Sequence, residues 1–276
     1  MITGDAVLAG VVGWPVAHSR SPRLHNHWLA KAGIDGAFVP LAVAPASFEV
    51  AIRGLAACGF RGVNVTIPYK EAAAALCDTL DEAARRAGAA NMLVFGPDGI
   101  AGSNTDGIGF LANLAAHGPI PTGPALLLGA GGAARAIASA LLGTGVRVRV
   151  ANRSPARAAA LAAALPGLEI LDWAQREEAL ADYALLVNTT SLGMQHQPPL
   201  EMDLSRAAPG LVVADIVYVP LETPLLHHAR ARGLVAVPGL GMLLHQAVPG
   251  FQAWFGVRPE VDAQTWALMS AGIPAQ

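Results

Sequence analysis

Short apolar runs alternate with longer amphipathic stretches along the first hundred residues of the chain. Runs such as AVLAGVVGW, AFVPLAV, GVNVTI and AANMLVF have the length of buried strands. The stretches after Ser21-Pro22 and through SFEVAIRGLAAC have the length of helices. Ser21 is a candidate N-cap, because serine accepts helix N–H bonds and proline is tolerated in the first turn. Strands that alternate with helices predict α/β structure with a mostly parallel sheet.

The same pattern restarts in the second half of the chain. TDGIGFLANLAA predicts a helix, and HGPIPTGP after it is the strongest break in the pattern and the best candidate for a domain boundary. Further strands are predicted in PALLLG, VRVRVANR, YALLVNTTS and LVVADIVY. The last helices are predicted in MLLHQAVPGFQAWF and EVDAQTWALMSAG, and Pro249 is expected to kink or divide the first of them.

Composition excludes several classes of protein. The chain is 53% hydrophobic, yet no run approaches the roughly 18 apolar residues of a membrane helix. Its N-terminus lacks the features of a secretory signal, so we expect a cytoplasmic protein. The net charge is −2 with both signs mixed, which disfavours nucleic acid as a partner. Cys58 and Cys77 lack metal-like spacing and are interpreted as core thiols, and no histidine motif predicts a metal site.

A glycine-rich turn stands between the strand PALLLG and the helix that follows it. Glycine permits a tight turn and a close approach of the backbone to a pyrophosphate, and the helix start offers free N–H groups. The pattern G-x-G-G-x-x-x-A differs from the commoner G-x-G-x-x-G, but the order strand, turn, helix, strand is that of a dinucleotide site. The predicted cofactor-binding residues of this turn are Gly129, Ala130, Gly131, Gly132 and Ala133.

The end of the next strand predicts which dinucleotide is bound. An acidic residue there would bond the ribose 2′-hydroxyl of NAD, whereas arginine accommodates a 2′-phosphate. Asn152, Arg153, Ser154 and Arg157 stand at this place, and two guanidinium groups can bracket a phosphate. We therefore predict NADP(H), with solvated surface arginines as the alternative.

The length of 276 residues favours two domains. We assign residues 1–105 to a first α/β domain, 106–239 to a Rossmann-like domain, and the helices from about 240 to 276 to packing against the first.

Four segments carry many small polar residues in otherwise apolar sequence: GWPVAHSRSPRLHN, GVNVTIPYK, GAANMLV and GSNTDGIGF. Together with NTTSLGM, DIVYVPLETPLL and GLGMLLHQA, they resemble the shikimate dehydrogenase family, in order and over nearly the whole chain. The resemblance implies an N-terminal α/β substrate domain, a Rossmann-like NADP-binding domain and an active site in the cleft between them. It also implies an oxidoreductase that reversibly reduces 3-dehydroshikimate to shikimate with NADP(H), in aromatic amino acid biosynthesis by the chorismate pathway.

The resemblance assigns the site residues. The catalytic pair is Lys70 in NVTIPYK and Asp106 in NTDG, which suits ketone reduction because a proton donor must reach the oxygen that gains charge. Short hydroxyl and amide side chains suit a polyhydroxylated anion. The implied substrate residues are Ser19, Ser21, Thr66, Lys70, Asn91, Asp106, Tyr218 and Gln246, and further cofactor residues are Glu82, Asn152, Ile216 and Gly239.

Two departures from the family pattern leave the substrate less certain than the reaction. Met92 stands where threonine is usual, and Ile216 where methionine is often seen. A quinate/shikimate dehydrogenase, or an enzyme for a related substrate, is the nearest alternative, although Ser21 argues against quinate because threonine is commoner there in quinate enzymes. A non-catalytic NADP-binding sensor is a second alternative. A folate-linked dehydrogenase fits the two-domain plan but not the serine-rich motif. Monomer and homodimer both remain open.

Overall fold

The computed structural model describes residues 2–275, which contain twelve strands and ten α-helices. The strands are β1 (Val7–Gly13), β2 (Gly36–Ala42), β3 (Gly62–Val65), β4 (Thr79–Leu80), β5 (Met92–Gly96), β6 (Gly99–Ser103), β7 (Ala125–Leu128), β8 (Val148–Ala151), β9 (Leu168–Ile170), β10 (Leu185–Asn188), β11 (Val212–Asp215) and β12 (Val235–Val237). The helices are α1 (Ser21–Ala32), α2 (Phe48–Ala57), α3 (Lys70–Leu76), α4 (Glu82–Ala87), α5 (Asp106–His117), α6 (Gly132–Gly143), α7 (Pro155–Ala164), α8 (Pro224–Ala231), α9 (Leu240–Phe255) and α10 (Ala263–Ser270). None of these helices is long and apolar enough to cross a membrane.

The described chain forms two compact units. The first unit contains the residues up to Thr105 together with Gln246–Met269, and the second contains Asp106–His245 with the segment that starts at Ser270. The glycine- and proline-rich segment HGPIPTGP lies inside the second unit, after α5. Helix α5 belongs to the second unit because it packs closely on α6. A Cβ at Gly107 of α5 would lie only 2.8 Å from the Ala136 carbonyl oxygen of α6. The division therefore falls before α5 and not at HGPIPTGP.

The first unit contains a six-stranded mixed sheet in the order β2-β1-β3-β5-β6-β4. β1 pairs in parallel with β2 and β3, whereas β5 runs antiparallel to both β3 and β6. The strands predicted from the apolar runs are confirmed. β4 and β6 were not predicted, because β4 has only two residues and the glycines in GIAGS hide the alternation of β6.

Two groups of buried side chains hold the first unit together. One is aliphatic and includes Val12, Ile52, Val63 and Leu93. The other is aromatic and centres on His25, whose ring stacks on Phe38 with a centroid distance of 4.0 Å and an interplanar angle of 7°. Trp28, Phe251 and Trp254 complete this aromatic group. Helices α1 and α9 are thereby joined to the sheet by apolar burial.

The second unit contains a six-stranded parallel sheet in the order β12-β11-β10-β7-β8-β9. Buried side chains of β7 alternate between two cores, with Leu127 in one and Leu126 and Leu128 in the other. Both faces of the sheet are thus covered, as a parallel sheet requires. The strand order reverses between β7 and β10, and a doubly wound sheet binds its ligand beyond the carboxyl ends of the strands at such a point. The prediction of α/β structure with mostly parallel sheets is confirmed.

Pro249 does not divide its helix, and the prediction that Cys58 is a core thiol is wrong. Helix α9 runs from Leu240 to Phe255 with Pro249 inside it, so the proline does not divide the helix. Proline has no backbone N–H, so one hydrogen bond of the helix is missing. Burial of Leu244, Phe251 and neighbouring side chains offsets this loss. Cys58 is exposed at the end of α2 and is not a core thiol, because the helix ends before the chain turns inward. Cys77 is half-buried, and burial raises the pKa of its thiol to about 11.

Candidate active site

The predicted substrate residues of the first unit lie on segments at one edge of its sheet. β1 and β3 are parallel, and their carboxyl ends precede the segments that carry Ser19, Ser21, Thr66 and Lys70. β5 is antiparallel to β3 and begins at this same edge, just after Asn91. The strand directions therefore bring these five residues to a common edge, although they are spread over more than seventy positions of sequence.

Backbone hydrogen bonds tie these segments to one another. The Trp14 N–H donates to the Ile67 carbonyl (3.1 Å), which joins the segment after β1 to the segment after β3. The Ala90 N–H donates to the Lys70 carbonyl (2.8 Å), which joins α3 to the segment before β5. Such bonds fix the positions from which the polar side chains project.

Ser19 and Ser21 lie at the start of α1, but not in the arrangement that the sequence predicts. Ser21 is the first residue of the helix and is buried, and the N-cap is Arg20, which makes no side-chain capping bond. The Ser21 N–H instead donates to the Ser19 hydroxyl oxygen (3.3 Å). The prediction that Ser21 caps α1 is therefore wrong, because Ser19 takes part of that role from two residues upstream.

Lys70 and Asp106 each open a helix. Lys70 is the half-buried first residue of α3, in the first unit. Asp106 is the first residue of α5, in the second unit, and is 8% exposed. A carboxylate at the start of a twelve-residue helix is stabilised by the helix dipole and by free N–H groups. The start of α5 is therefore a favourable position for a buried carboxylate such as that of Asp106.

Asn91 and Gln246 meet in a buried polar cluster of the first unit. The Asn91 side-chain amide donates to the Thr105 hydroxyl (3.0 Å) and to the Gln246 side-chain oxygen (3.4 Å). The Thr105 N–H donates to Asn91 Oδ1 (2.8 Å), and the Thr105 hydroxyl lies 3.3 Å from Gln246 Oε1. The structure thus brings together two predicted substrate residues and adds Thr105. Thr105 lies inside the NTDG motif, but the sequence alone assigned it no role.

The glycine turn of the second unit follows β7 at the reversal of strand order. Gly129 has φ +109°, and a Cβ there would lie 2.8 Å from the Thr189 hydroxyl oxygen. Gly131 and Gly132 are exposed, and a Cβ at either would meet nothing within 4 Å. Ala130 and Ala133 are half-buried on either side of them. The turn leaves open backbone at the start of α6, as a pyrophosphate requires.

Two exposed arginines follow β8, the neighbour of β7. Arg153 and Arg157 are both exposed, with Arg157 in the first turn of α7. The Asn152 side chain donates to the Ser154 carbonyl (2.9 Å), and Ser154 is the N-cap residue of α7. This bond shapes the segment between the arginines. The chemistry of the segment, two guanidinium groups and no carboxylate, suits a phosphate.

Ile216, Tyr218 and Gly239 lie on loops beyond the carboxyl ends of β11 and β12. A Cβ at Gly239 would collide with the Ile216 carbonyl and lie 2.6 Å from the Val217 carbonyl oxygen, so glycine is required for this close approach. Ile216 and Tyr218 are half-buried. The structure therefore brings Gly239 and Ile216 into contact. Glu82 lies elsewhere, in the first turn of α4 in the first unit, where it is exposed and forms an ion pair with Arg86.

Sequence reasoning missed Asp215, the last residue of β11. Its carboxylate is 2% exposed and accepts hydrogen bonds from the Asn188 amide, the Val217 N–H and the Thr223 hydroxyl. Burial raises its pKa to about 6, while the three donors act in the opposite direction. The signal available in the sequence was an acidic residue at the end of an otherwise apolar strand, LVVAD.

Family models match three segments of the chain. Residues 11–93 match the shikimate dehydrogenase substrate binding domain, and residues 115–216 match the model named shikimate / quinate 5-dehydrogenase. Residues 239–263 match the shikimate 5′-dehydrogenase C-terminal domain. The chain belongs to the shikimate dehydrogenase family. The resemblance read from its motifs is confirmed.

Relatives in this family match the chain over almost its full length. Shikimate dehydrogenase (NADP(+)) of Acidiphilium cryptum is 65% identical over 274 residues, which is 99% of each protein. The crystal structure of shikimate 5-dehydrogenase from Thermus thermophilus in complex with NADP(H) and shikimate has a TM-score of 0.85 and 37% identity, and covers 96% of this chain and 98% of that one. Quinate dehydrogenase from Corynebacterium glutamicum in complex with NAD has a TM-score of 0.87 and 30% identity, and covers 96% of this chain and 97% of that one.

Proposed function

We propose that this chain catalyses the NADP-dependent, reversible reduction of 3-dehydroshikimate to shikimate. The observation that carries the proposal is the 65% identity to an NADP-dependent shikimate dehydrogenase across the whole chain. Family membership by fold alone would not establish an activity. The proposal is supported further by Lys70, Asp106 and the complete set of implied polar residues, which this sequence retains.

The polar edge of the first unit supports a hydroxylated anion as substrate. Ser19 and Ser21 would bind the carboxylate, and Thr66, Asn91 and Gln246 would bind ring hydroxyls, with Tyr218 from the second unit. Amides and hydroxyls both donate and accept, so they match alcohol groups of either polarity. A buried polar cluster such as Asn91, Thr105 and Gln246 disfavours ligands that leave its groups unpaired.

The second unit has the features that NADP(H) requires. The open glycine turn at the start of α6 would hold the pyrophosphate, and Arg153 and Arg157 would hold the 2′-phosphate, with Asn152 and Ser154 shaping their loop. Ile216 and Gly239 would line the nicotinamide end, and Glu82 is a further proposed contact. When bound, NADPH supplies the hydride for reduction of the ketone.

Lys70 and Asp106 are the proposed catalytic pair. Reduction of a ketone to an alcohol adds a hydride to carbon and a proton to oxygen, so the protein must supply the proton. The Lys70 ammonium donates that proton in reduction and takes it back in oxidation, while the Asp106 carboxylate holds a substrate hydroxyl and opposes the ammonium charge. Orientation of the substrate by the remaining polar groups lowers the barrier further.

Steady-state turnover tests the proposed function. Purified protein is mixed with shikimate or quinate, each with NADP or NAD, and cofactor reduction is followed by absorbance. We expect rapid turnover only with shikimate and NADP. Faster turnover of quinate, or equal use of NAD, would favour the quinate/shikimate alternative, for which the buried Met92 beside Asn91 is the residue to examine. Tight NADP binding without turnover in any arm would favour a sensor.

The location and the oligomeric state of the protein stay predictions. We expect a cytoplasmic location, and the protein is expected to be a monomer or a homodimer. Cell fractionation and sedimentation of the purified protein would decide them.

A further inference from the structure

Asp215 is a buried carboxylate for which the proposed reaction has no chemical role. It ends β11 and is followed directly by the loop that carries Ile216 and Tyr218 before α8 begins. An ionised carboxylate is costly to bury unless its oxygens accept hydrogen bonds. The partners of Asp215 therefore indicate what its burial achieves.

Two of the three donors to Asp215 lie on the loop that follows it, and the third lies at the end of the neighbouring strand β10. On its own loop, the Val217 N–H donates to Oδ1 (2.9 Å) and the Thr223 hydroxyl donates to Oδ2 (2.8 Å). These bonds bridge residues 217 and 223 and so close the loop on which Tyr218 lies. Thr223 also caps α8 by accepting the Leu226 N–H (3.4 Å), so the far end of the loop is anchored to a helix.

The third donor, Asn188, connects Asp215 to the neighbouring loop. Asn188 is fully buried at the end of β10 and donates its amide to Asp215 Oδ1 (3.0 Å). Its side-chain oxygen accepts the N–H and the hydroxyl of Thr190, at 3.0 and 2.7 Å. Its backbone carbonyl accepts the Ile216 N–H (3.1 Å). Asn188 thus orders the start of the segment of residues 188–192, called the NTTSL loop, while its carbonyl holds the Ile216 N–H.

The NTTSL loop also contacts the glycine turn. The Thr189 hydroxyl donates to the Leu128 carbonyl (2.7 Å), immediately before Gly129. A Cβ at Gly129 would lie 2.9 Å from the Thr190 side chain. One set of buried polar groups therefore runs from the glycine turn through Asn188 to Asp215 and the loop of Tyr218.

We propose that Asp215, with Asn188 as its partner, is a positioning residue that fixes the loop carrying Ile216 and Tyr218 relative to the glycine turn. This inference rests on the proposed function, because Ile216 and Tyr218 are assigned to the cofactor and the substrate there. Asp215 acts on the reaction only through these two residues. Its two carboxylate oxygens accept hydrogen bonds from three donors at once. An asparagine has the same shape but only one accepting oxygen, because its other polar atom is a donor.

Asp215→Asn is the principal test, measured at pH 8 so that the carboxylate of the natural protein is ionised. The substitution keeps the shape but turns one acceptor into a donor, so the loop loses its closure. We expect kcat/KM for shikimate to fall at least about tenfold, with a raised KM and a lowered kcat. The equilibrium Kd for NADP should change less than about threefold, because the glycine turn and the arginines are intact.

Three further variants separate positioning from general stability. Val213→Ala removes buried volume from the same strand without touching the loop, so it should lower the free energy of unfolding while kcat/KM stays within about twofold. Thr223→Val should lower kcat/KM, and Thr223→Ser, which keeps the hydroxyl, should restore it. If Val213→Ala reduces kcat/KM as much as Asp215→Asn at equal loss of stability, Asp215 is merely structural and the inference is wrong.

Hydrogen–deuterium exchange gives a readout that does not need turnover. The amides of residues 216–223 should exchange faster in Asp215→Asn than in the natural protein, whereas those of β7 should not change. Unchanged exchange in 216–223 would overturn the inference. If the natural protein does not turn over shikimate, the proposed function fails, but the exchange result still decides whether Asp215 holds the loop.

Discussion

Lys70 and Lys31 are the two lysines of the chain, and their environments differ. Lys70 is half-buried at the start of α3, and Lys31 forms an exposed ion pair with Asp262. If Lys70 handles the proton, Lys70→Ala should lower kcat by about 10² to 10⁴, the range typical of general acid–base catalysis. The KM for shikimate should change less. Initial rates with shikimate and NADP, together with circular dichroism to verify folding, measure this.

Lys31→Ala is the matched control for Lys70→Ala. An exposed ion pair contributes little, so this variant should keep its kcat and lose no more than about 1 kcal/mol of stability. Turnover that survives Lys70→Ala in a folded protein would exclude Lys70 from catalysis. A similar loss in both variants would point to a general effect of losing a cation.

The two arginines after β8 are expected to make the protein prefer NADP over NAD. If Arg153 and Arg157 bind the 2′-phosphate, the double replacement by serine should raise the KM for NADP by about 10- to 100-fold, since each charge-assisted bond contributes roughly 1.5–3 kcal/mol and the two are not additive. The KM for NAD should stay within about twofold. Arg147→Ser, at the opposite end of β8, is the control. Equal weakening of NADP and NAD would contradict the assignment.

At the scale of elements, the turn between β7 and α6 depends on a residue without a Cβ. Gly129→Ala must place alanine at φ +109° and against the Thr189 hydroxyl, so it should destabilise the second unit by more than the roughly 1–2 kcal/mol of the left-handed backbone alone. It should also raise the Kd for NADP, because the turn and the NTTSL loop must separate. Denaturant unfolding followed by Trp173, the tryptophan of this unit, and fluorescence titration with NADP measure the two effects.

Gly145→Ala provides the comparison for Gly129→Ala. Gly145 follows α6 with φ +83°, but a Cβ there meets nothing within 4 Å. It should therefore show the backbone cost without the steric cost, and it should leave the Kd for NADP unchanged. Equal loss of NADP affinity in both variants would mean that the close approach of the two loops is unimportant.

At the scale of the whole molecule, a buried histidine makes the stability of the first unit depend on pH. Burial lowers the pKa of His25 from its ordinary 6.5 to about 3. Between these values the unfolded chain binds a proton that the folded chain does not, so stability falls as the pH drops below 6.5. The loss is about 1.4 kcal/mol per pH unit in this window. The aromatic group around His25 is thus most stable at neutral pH and above.

His25→Phe removes this dependence and keeps an aromatic ring on Phe38. Urea unfolding between pH 7 and pH 4, followed by the fluorescence of Trp28 and Trp254 beside His25, should give a flatter pH profile for the variant than for the natural protein. His18→Gln, at an exposed position of the same unit, should keep the natural slope. Parallel profiles for His25→Phe and the natural protein would show that His25 is not held neutral.

The sequence by itself determined those features that depend on neighbours a few residues apart. The alternation of apolar runs and helical stretches predicted both α/β units, and the glycines after PALLLG predicted the turn at the start of α6. The motif set was sufficient for the family, because each motif is contiguous and their order is read directly. Lys70 and Asp106 could be assigned in this way, although their roles stay proposals.

Only the tertiary structure decided which distant residues meet. Asn91 and Gln246 are 155 positions apart, and no local pattern predicts their hydrogen bond or the bonds that Thr105 makes to both. The antiparallel pairing of β5, the exposure of Cys58 and the displacement of Ser21 from the cap position likewise depend on how elements pack. The same holds for Asp215, since the three donors that make its burial possible come from segments joined only when β10 and β11 lie side by side. Hydrogen-bond partners of buried groups are set by folding, because burial removes the water that would otherwise satisfy them.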